Sequence, residues 1–493
     1  MKVTILDCYT DEASGLGVPP YLGTYPRYLF GKYKSEGHEV TYLTIDDLRL
    51  WRKYGGKKKV PKVSEKTDIY TYNTTIHDAE KVLGSVKADG TCGTDLLVVV
   101  LGVHVPGKYL SAMPGTLHEI VPLISDLSMR KVLTGPAVFG TQLQGGKKSE
   151  TAGYEYFDSV VNSDVPFEEL EKYVPYSYDI ILQIPDKRVI EIETGRGCAV
   201  GKCSFCTEPL KNKFVNRAKK YVVAEVIEYY RRGGRFFRLG KQADFYASDD
   251  PIGMLREIRA VCVDLEMLHI DNVNPNSVVK AGGEEITRAI VEYCTPGNIA
   301  AFGVESFDNE VVKANLLNTM PAMAFKAIGI INKYGAERGS NGLPKFLPGI
   351  NIIFGLLAES KKTHKANMDA FAHIVEQGWM LRRINIRQVA VLPGTYLESH
   401  GGQKFFFKNK GLYWKWRNEI RQKVDNPMLA RILPLGTVVH DVYAEIYDGK
   451  TTFCRQMGTY PLAIGVAGRL VIGQKYSIAV TGYMLRSITG KVV

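Results

Sequence analysis

The sequence predicts an α/β protein of three successive modules: a doubly wound parallel sheet over residues 1–175, a partial (βα)6 barrel of six strands over 185–400, and a small OB-like β-barrel over 401–493. Apolar strand-like runs alternate with amphipathic segments in the first region, and this alternation becomes regular in the second. In the third region the pattern changes to short strands separated by turns. A chain of 493 residues is long enough for several domains.

The composition is that of a folded protein. Hydrophobic residues make up 45% of the chain, charged residues 23%, and the mean hydropathy is −0.11, which excludes wholesale disorder, a collagen-like repeat and a coiled-coil rod. No stretch reaches roughly 18 uninterrupted apolar residues, so no membrane span is predicted. The first six residues enter a strand without the layout of a signal peptide, and we therefore expect a cytoplasmic protein.

The elements of the first region follow from its periodicity. We expect strands at residues 3–6, 39–43, 95–101 and 131–134, and helices at 25–36, 76–87, 112–129 and 164–173. Residues 141–148 contain Gly and Lys and predict a surface loop. Because strands and helices alternate, the sheet is expected to be parallel with crossover helices.

The second and third regions differ in the spacing of their apolar residues. In the second we expect strands at 189–193, 235–239, 267–271, 300–305, 349–355 and 384–392, and helices at 222–232, 254–262, 284–293, 322–334 and 363–377. In the third we expect strands at 435–446, 451–454, 460–466 and 476–484. A βα series of this kind carries its chemistry at the carboxyl ends of the strands.

Three of the eight cysteines crowd into nine residues directly after the first strand of the second region. These are Cys198, Cys203 and Cys206, with the spacing Cys-x4-Cys-x2-Cys on a glycine-containing loop that lets three thiolates converge on one metal centre. No His and no further Cys lies within fifty residues on either side. Since structural zinc is normally held by four nearby Cys or His ligands, three thiolates favour a 4Fe-4S cluster with one iron open to a non-protein ligand. The alternatives are zinc with a remote or carboxylate fourth ligand, and three structural free cysteines.

This cysteine loop resembles the signature of the radical S-adenosylmethionine (SAM) superfamily, which usually has Cys-x3-Cys-x2-Cys; the present chain has one more residue in the first gap. The resemblance implies that Cys198, Cys203 and Cys206 hold a 4Fe-4S cluster whose open iron binds the amino and carboxylate groups of SAM. It also implies reductive cleavage of SAM to methionine and a 5′-deoxyadenosyl radical, which abstracts a substrate hydrogen. An electron donor such as ferredoxin or flavodoxin is then an expected partner.

Later segments resemble the same family in order. Residues 301–306 resemble the end of its fourth strand, which implies that Glu305 meets SAM, and residues 351–360 resemble the fifth, whose Gly355 permits close approach of the adenosine. Residues 389–395, with Gly394, resemble the sixth. The alternative is that the glycines are plain turn residues and that Glu305 caps a helix.

The family often has Gly-Gly-Glu after the second strand, and this chain departs from that pattern. Gln242 and Asp244 stand in the corresponding segment, 238–244, and either is expected to take over the contact to the SAM amino group. Phe205, within the cysteine loop, is a further expected contact to the cofactor. No catalytic residue is assigned from the sequence.

Residues 1–175 resemble the cobalamin-binding-like domain that precedes many radical SAM cores. The similar features are the glycine-containing loop at 15–20, the step 37–40 into the second strand and the Gly135-Pro136 pair. The resemblance makes cobalamin a further candidate cofactor, although a sheet of this type also serves as a scaffold, and we interpret His104 as a packed or surface residue. Transfer RNA methylthiotransferases hold a second cluster in this position with three cysteines; only Cys8 and Cys92 precede the core here, which disfavours one.

The C-terminal region carries most of the positive charge. Residues 401–493 hold fourteen Lys and Arg against five Asp and Glu, in a chain whose net charge is +11. The region resembles the small TRAM-like RNA-binding barrel that ends such enzymes, and basic residues alternate there with aromatic ones, as phosphate contact with base stacking requires. The candidate RNA-binding residues are Lys408, Lys410, Lys415 and Arg417. The alternatives are a solubilising surface and a connecting helix whose aromatics belong to the core.

As a whole, the chain is similar to a poorly characterised, largely archaeal group of radical SAM proteins. The leading hypothesis is a radical SAM enzyme that modifies RNA, with transfer RNA as the expected substrate. The second hypothesis is a cobalamin-dependent radical methylase of a small molecule, lipid or protein. The third is a non-catalytic nucleic-acid-binding protein with a structural metal site.

Overall fold

The computed structural model describes residues 1–9, 21–54, 68–69, 77–84, 93–102, 115–139, 153–184 and 188–493. The expected loops at 15–20 and 141–148, Cys92 and His104 lie outside the described residues. The chain divides into two compact units. The first contains Met1–Glu191, Ala224–Phe236 and Glu445–Gly449, and the second contains Ile192–Val223, Phe237–Ala444 and Lys450–Val493.

The first unit is built on a parallel sheet. Its strands are β1 (Lys2–Asp7), β2 (Glu39–Thr44), β3 (Asp68–Ile69), β4 (Leu96–Val100), β5 (Arg130–Thr134) and β6 (Ser159–Val160). Apart from β3 they form one sheet in the order β2-β1-β4-β5-β6, with every pair parallel. All five residues of β4 are apolar and buried, as expected of a strand that is covered on both faces. The four strands predicted for this region are confirmed.

The helices of the first unit differ more from expectation. They are α1 (Thr24–Ser35), α2 (Ile45–Tyr54), α3 (Leu117–Ile124), α4 (Pro136–Phe139) and α5 (Leu170–Ser177). The helix predicted at 112–129 is shorter, because the Thr116 side chain caps α3 by accepting a hydrogen bond from the Glu119 amide. The helix predicted at 164–173 starts later, after Pro166 and a 3₁₀ turn. Of the helix predicted at 76–87, the described part holds only a π-type turn, Glu80–Gly84.

A buried arginine contacts segments of the first unit that are distant in sequence. Arg27 on α1 is fully buried, forms an ion pair with the equally buried Glu225, and donates a hydrogen bond to the Glu191 carbonyl. Its guanidinium lies 5.1 Å from the centroid of the Tyr229 ring. A buried guanidinium is tolerated only when such partners satisfy it.

The βα series lies mostly in the second unit, while its residues 190–191 and 224–236 belong to the first. Its strands are β7 (Ile190–Glu193), β8 (Gly195–Arg196), β9 (Val215–Asn216), β10 (Phe236–Gly240), β11 (Met267–Ile270), β12 (Asn272–Val273), β13 (Asn298–Glu305), β14 (Phe346–Phe354) and β15 (Arg383–Gln388). They pair in the orders β11-β10-β7 and β12-β13-β14-β15. One residue, Asp271, separates β11 from β12, so these two strands correspond to the single third strand that was predicted. All six predicted core strands are therefore confirmed.

Helices alternate with these strands along the chain. They are α6 (Glu208–Lys211), α7 (Lys219–Arg231), α8 (Pro251–Val261), α9 (Pro275–Val279), α10 (Gly283–Tyr293), α11 (Asn309–Ala314), α12 (Pro321–Gly335), α13 (Lys361–Glu376) and α14 (Tyr396–His400). The five predicted helices correspond to α7, α8, α10, α12 and α13. Within the described ranges, every helix is too short or too polar to cross a bilayer.

The C-terminal region begins with helices and ends in a barrel. Helices α15 (Lys404–Ile420) and α16 (Asn426–Ile432) precede strands β16 (Val438–Tyr447), β17 (Thr451–Arg455), β18 (Ile464–Ala467), β19 (Lys475–Tyr483) and β20 (Ile488–Val492). The strands are ordered β17-β18-β20-β19-β16, and pairing of β17 with β16 closes the five-stranded barrel. The barrel is confirmed, but its last strand was not predicted, because β20 is short and only its Ile488 and Gly490 are buried.

Candidate functional site

The cysteine loop leaves the carboxyl end of β7 and is anchored at its centre. Buried Ser204 donates from its amide to the Asn315 carbonyl at 2.9 Å and from its hydroxyl to Asn315 Oδ1 at 2.7 Å. The Asn315 amide in turn donates to the Leu357 carbonyl at 2.9 Å. Gly197 and Gly201 adopt left-handed backbone with φ of 81° and 57°, which turns the loop around the cysteines. The loop is thus fixed by Asn315 from the segment after β13, which is itself held by backbone from the segment after β14.

The three loop cysteines are free thiols, each partly exposed. Burial raises the pKa of Cys203 to about 12, and the negative charges of Cys206 and Glu305 add to this effect. Burial also raises the pKa of Cys206. In the metal-free chain these two sulfurs are therefore protonated at neutral pH. Among the described residues, no three Cys, His, Asp or Glu side chains are already gathered as a metal site.

The donor set nevertheless fits an iron–sulfur cluster. Cys198, Cys203 and Cys206 are three unbridged thiols on one loop, and they are close enough for the charges of Cys198 and Cys206 to influence the pKa of Cys203. Cys206 also feels the charge of Cys198. An iron cluster binds cysteine sulfurs as thiolates, so its binding would release the protons that these thiols hold in the metal-free chain.

A strained carboxylate stands beside this loop. Glu305 ends β13 with φ of 64°, a conformation that is costly for a residue with a Cβ. It is buried, and its Oε2 atom has no hydrogen-bond partner. Burial raises its pKa to about 7, against the opposing positive charge of Arg387. An unpaired buried oxygen at a strained strand end is suited to receive a donor from a bound molecule.

Gln242 has a comparable unpaired atom, whereas Asp244 does not. Gln242 is buried and donates from Nε2 to Thr194 Oγ1 at 2.9 Å and to Ser248 Oγ at 2.6 Å, which leaves its Oε1 atom without a partner. Asp244 accepts from the amides of Tyr246 and Asn274 and from the Ser277 hydroxyl at 2.6 Å. The oxygens of Asp244 therefore serve the loop itself, and the geometry favours Gln242 of the two predicted residues for contact with a ligand.

The two predicted glycines lie in turns held by carboxylates four residues later. Gly355 has φ of 94° and donates its amide to Glu359 at 2.7 Å, and Gly394 has φ of 80° and donates to Glu398 at 2.8 Å. Partly buried Phe205 and Cys203 pack against one apolar cluster, to which α11, β14, the segment after β15, α14 and the start of α15 contribute. The structure therefore brings Phe205 to the same apolar cluster as Cys203 and leaves both glycines as left-handed turns.

Two residues of the site were not predicted. Asn315 anchors the cysteine loop as described, and no local pattern signals this role, because its partners are more than forty residues away. Glu359 is buried, accepts from Asn409 of α15 at 2.9 Å and holds the Gly355 turn. Burial raises its pKa to about 7. Its position four residues after a glycine in the fifth-strand segment was the available signal.

The predicted basic residues lie on helix α15, before the barrel. Lys408, Lys410 and Lys415 are exposed and Arg417 is partly buried. The helix buries Asn409, Tyr413, Trp416 and Ile420 on one face. On the other face the side chain of Phe407 is 60% exposed and that of Trp414 is 62% exposed, with the Arg417 guanidinium 5.2 Å from the Trp414 ring centroid. The connecting-helix interpretation is therefore right for Tyr413 and Trp416 but not for Trp414.

The chain is similar in sequence to two archaeal proteins along its whole length. No family model matches the chain. The uncharacterized protein MJ0274 of Methanocaldococcus jannaschii is 36% identical over 100% of this chain and 93% of its own length. An uncharacterized protein of Archaeoglobus fulgidus is 35% identical over 99% of this chain and 89% of its own.

Among solved structures, the cobalamin-dependent S-adenosylmethionine radical enzyme OxsB with aqua-cobalamin bound has a TM-score of 0.51 at 14% sequence identity. The match covers 85% of this chain and 55% of the OxsB chain. Likeness at this identity shows a shared fold, and it confirms the fold class predicted from the sequence.

Proposed function

The chain belongs to the archaeal protein family that includes MJ0274 and its Archaeoglobus fulgidus relative, and we propose that it is a radical SAM enzyme. One observation carries this proposal: three free thiols share the loop after the first core strand, next to a buried carboxylate that has an unpaired oxygen. The fold shared with OxsB supports it. The archaeal relatives align over nearly their whole length, so the proposal applies to the family.

Cys198, Cys203 and Cys206 would hold a 4Fe-4S cluster. When bound, such a cluster supplies the electron that cleaves SAM to methionine and a 5′-deoxyadenosyl radical, which takes a hydrogen atom from the substrate. A reduced ferredoxin or flavodoxin is the proposed source of that electron. The chain itself fixes the loop through Ser204 and Asn315, and it packs Cys203 and Phe205 against the same apolar cluster.

The remaining predicted residues would bind and orient SAM. Glu305 Oε2 and Gln242 Oε1 are unpaired acceptors that suit its ammonium group. With a pKa of about 7, Glu305 gains its negative charge near neutral pH, and a cationic partner would favour the charged form. The backbone of the left-handed turns at Gly355 and Gly394 would lie along the adenosine.

The test is anaerobic reconstitution with iron and sulfide, reduction with dithionite, and chromatographic detection of 5′-deoxyadenosine from SAM. Cys203→Ala should lose iron and product together, because two thiolates hold a cluster poorly. Cys294→Ala, a free cysteine outside the loop, is the matched control and should keep both. Product formation by the Cys203 variant at the wild-type level would contradict the assignment.

For the substrate we propose RNA, with transfer RNA as the expected class. The support is the positive C-terminal region together with the exposed aromatic and basic side chains of α15, a combination that suits phosphate contact and base stacking. The test is mass spectrometry of transfer RNA nucleosides after incubation with the reduced enzyme and SAM. Modification that requires Trp414 and Arg417 would support the proposal, and unmodified RNA in the presence of active enzyme would refute it.

A cobalamin-dependent radical methylase is the second candidate, and the sheet order of the first unit favours it specifically. In the order β2-β1-β4-β5-β6 the strand order reverses between β1 and β4, because the chain goes from β1 to β2 on one side and later adds β4 on the other. Ligands of doubly wound sheets bind outside the carboxyl ends of the strands at such a point. The enzyme that shares the fold is cobalamin-dependent. Stoichiometric cobalt after reconstitution with hydroxocobalamin, with S-adenosylhomocysteine as a product, would establish this candidate over simple hydrogen abstraction. If SAM is never cleaved by loaded, reduced protein in the presence of RNA, the third hypothesis of a structural metal in an RNA-binding protein replaces both.

A further inference from the structure

Four arginines gather where β15 begins, and we call Arg382, Arg383, Arg421 and Arg486 the arginine cluster. Arg382 donates to the Tyr460 carbonyl at 2.9 Å, and the Arg383 guanidinium lies 3.8 Å from the centroid of the Tyr460 ring. Arg421, just after α15, donates to the Ile384 carbonyl at 2.7 Å. The loop between β19 and β20, which carries Arg486, is held by a 2.7 Å hydrogen bond from Asn426 to the Met484 carbonyl.

The arginine cluster has too few negative charges to balance it. Asp425 forms an ion pair with Arg421, and its single negative charge also acts on Arg382 and Arg486. Arg382 donates only to a neutral carbonyl, and Arg383 contacts an aromatic ring. Arg486 makes no hydrogen bond or ion pair with any residue that the structure describes, and the buried Nε atom of Arg421 has no partner.

The electrostatics agree with this imbalance. Burial, and then the positive charges of Arg383 and Arg486, lower the pKa of Arg382 to about 10. Although much of the Arg486 side chain is exposed, the chain packed around its guanidinium and the nearby charge of Arg421 lower its pKa to about 10 as well. Charges that repel one another at a fixed place are stabilised by an anion that bridges them.

Guanidinium groups donate paired hydrogen bonds to the oxygens of phosphate, so phosphate is the ligand that suits the arginine cluster. Its surroundings point to a nucleic-acid source. Arg417 is close enough for its charge to act on Arg486, and it lies over exposed Trp414, so a base-stacking surface adjoins the arginine cluster. Single-stranded nucleic acid is bound by this combination of basic groups and aromatic platforms.

We propose that the arginine cluster binds a backbone phosphate of a single-stranded segment of RNA, and that a neighbouring base stacks on Trp414. This inference rests on the proposed RNA substrate and assigns to it a specific anchor. The cluster lies at the start of β15, whereas the cysteine loop lies at the carboxyl ends of the core strands. The five residue steps from Arg383 to Gln388 span roughly 17 Å, so the anchor positions the RNA at a distance from the cysteines.

The experiment measures the binding of a fluorescent twelve-nucleotide single-stranded RNA by anisotropy over a range of KCl concentrations. Arg486→Ala, a change at an exposed side chain, should raise Kd roughly tenfold and reduce the slope of log Kd against log salt by about one. Trp414→Ala should raise Kd without changing that slope. Lys491→Ala is the matched control, because it removes one positive charge from the same barrel at an exposed residue of β20 away from the β19–β20 loop. It should change Kd less than twofold.

The outcomes separate the two proposals. Equal Kd and salt slope for the Arg486 and Lys491 variants, with tight wild-type binding, would overturn the arginine cluster as the anchor and leave RNA as the substrate. If inorganic phosphate raises the melting temperature of wild type but not of the Arg486 variant, and wild type fails to bind RNA, the site takes free phosphate and the RNA anchor is overturned. SAM cleavage without RNA should be unchanged in the Arg486 variant, and its loss would also contradict an anchor remote from the cysteines.

Discussion

The unpaired carboxyl of Glu305 should make the protein less stable as the pH rises. Its pKa is about 7 in the folded chain and 4.5 in an unfolded one, because burial disfavours the charged form. Below pH 4.5 both states are protonated and Glu305 has no effect on stability. Between these values the unfolded state alone releases its proton, so the free energy of unfolding falls as the pH rises.

The magnitude follows from the two pKa values. Since a pKa difference of one corresponds to about 1.4 kcal/mol, the loss of stability approaches about 3 kcal/mol above pH 7. Glu305→Gln removes the ionisable group while nearly preserving its shape. We therefore expect this variant to be more stable than wild type by about 3 kcal/mol at pH 8 and equal to it near pH 4.5. If Glu305 binds the SAM ammonium as we propose, the same change should reduce SAM cleavage at least tenfold, because it removes the negative charge of that contact.

Urea unfolding of the metal-free protein, followed by tryptophan fluorescence, measures the stability difference. Three of the four tryptophans, Trp379, Trp414 and Trp416, lie in the second unit with Glu305, so the signal reports on the relevant part. Glu359→Gln is the matched control. The pKa of Glu359 is also about 7, but both of its oxygens accept hydrogen bonds, one from Gly355 and one from Asn409. In the Glu359 variant the amide NH₂ would face one of these donors, so this variant should not gain stability. A Glu305 variant no more stable than wild type at pH 8 would refute the reasoning.

Three further predictions concern other buried groups. Asn315→Ala should lower stability by about 2 kcal/mol and reduce the iron retained after gel filtration, because the partners that it joins are left unpaired; normal iron content would contradict its anchoring role. Arg27→Met should cost about 4 kcal/mol in urea unfolding by leaving Glu225 buried and charged, and adding Glu225→Leu should recover most of this loss; no recovery would point to packing instead. Burial lowers the pKa of His269 from 6.5 to about 4, so stability should fall by about 3 kcal/mol as the pH drops between these values, and His269→Gln should flatten that dependence in acid titrations monitored by circular dichroism.

The sequence predicts the βα alternation well because each core strand is a short apolar run followed by a glycine, proline or polar turn. It groups the three cysteines of the proposed cluster site because all three lie within one loop. It does not predict that Asp271 divides the third strand, where it pairs with Arg238 on the neighbouring strand β10. That pairing joins residues far apart in sequence, as do the Asn315 contacts to the cysteine loop.

The sequence also does not predict which basic and aromatic residues of the C-terminal region are exposed or lie together. Alternating aromatic and basic residues in 404–417 are equally compatible with a binding surface and with a core helix, and only the helix packing shows that Trp414 is exposed while Trp416 is buried. The arginine cluster is assembled from three separate segments, of which one carries two of its arginines and the other two carry one each. Single-sequence patterns cannot predict such an assembly, since charge alone does not say which residues meet.

The buried ion pair between Arg27 and Glu225 also constrains how the chain folds during synthesis. The two residues are 198 positions apart, yet both belong to the first unit. At a translation rate of 5–20 residues per second, Arg27 leaves the ribosome roughly 10–40 s before its partner. During that interval Arg27 lacks the counter-ion that makes a buried guanidinium tolerable. The first unit therefore cannot be completed until the start of the second has been synthesised, because its residues 224–236 follow residues 192–223 of the second unit.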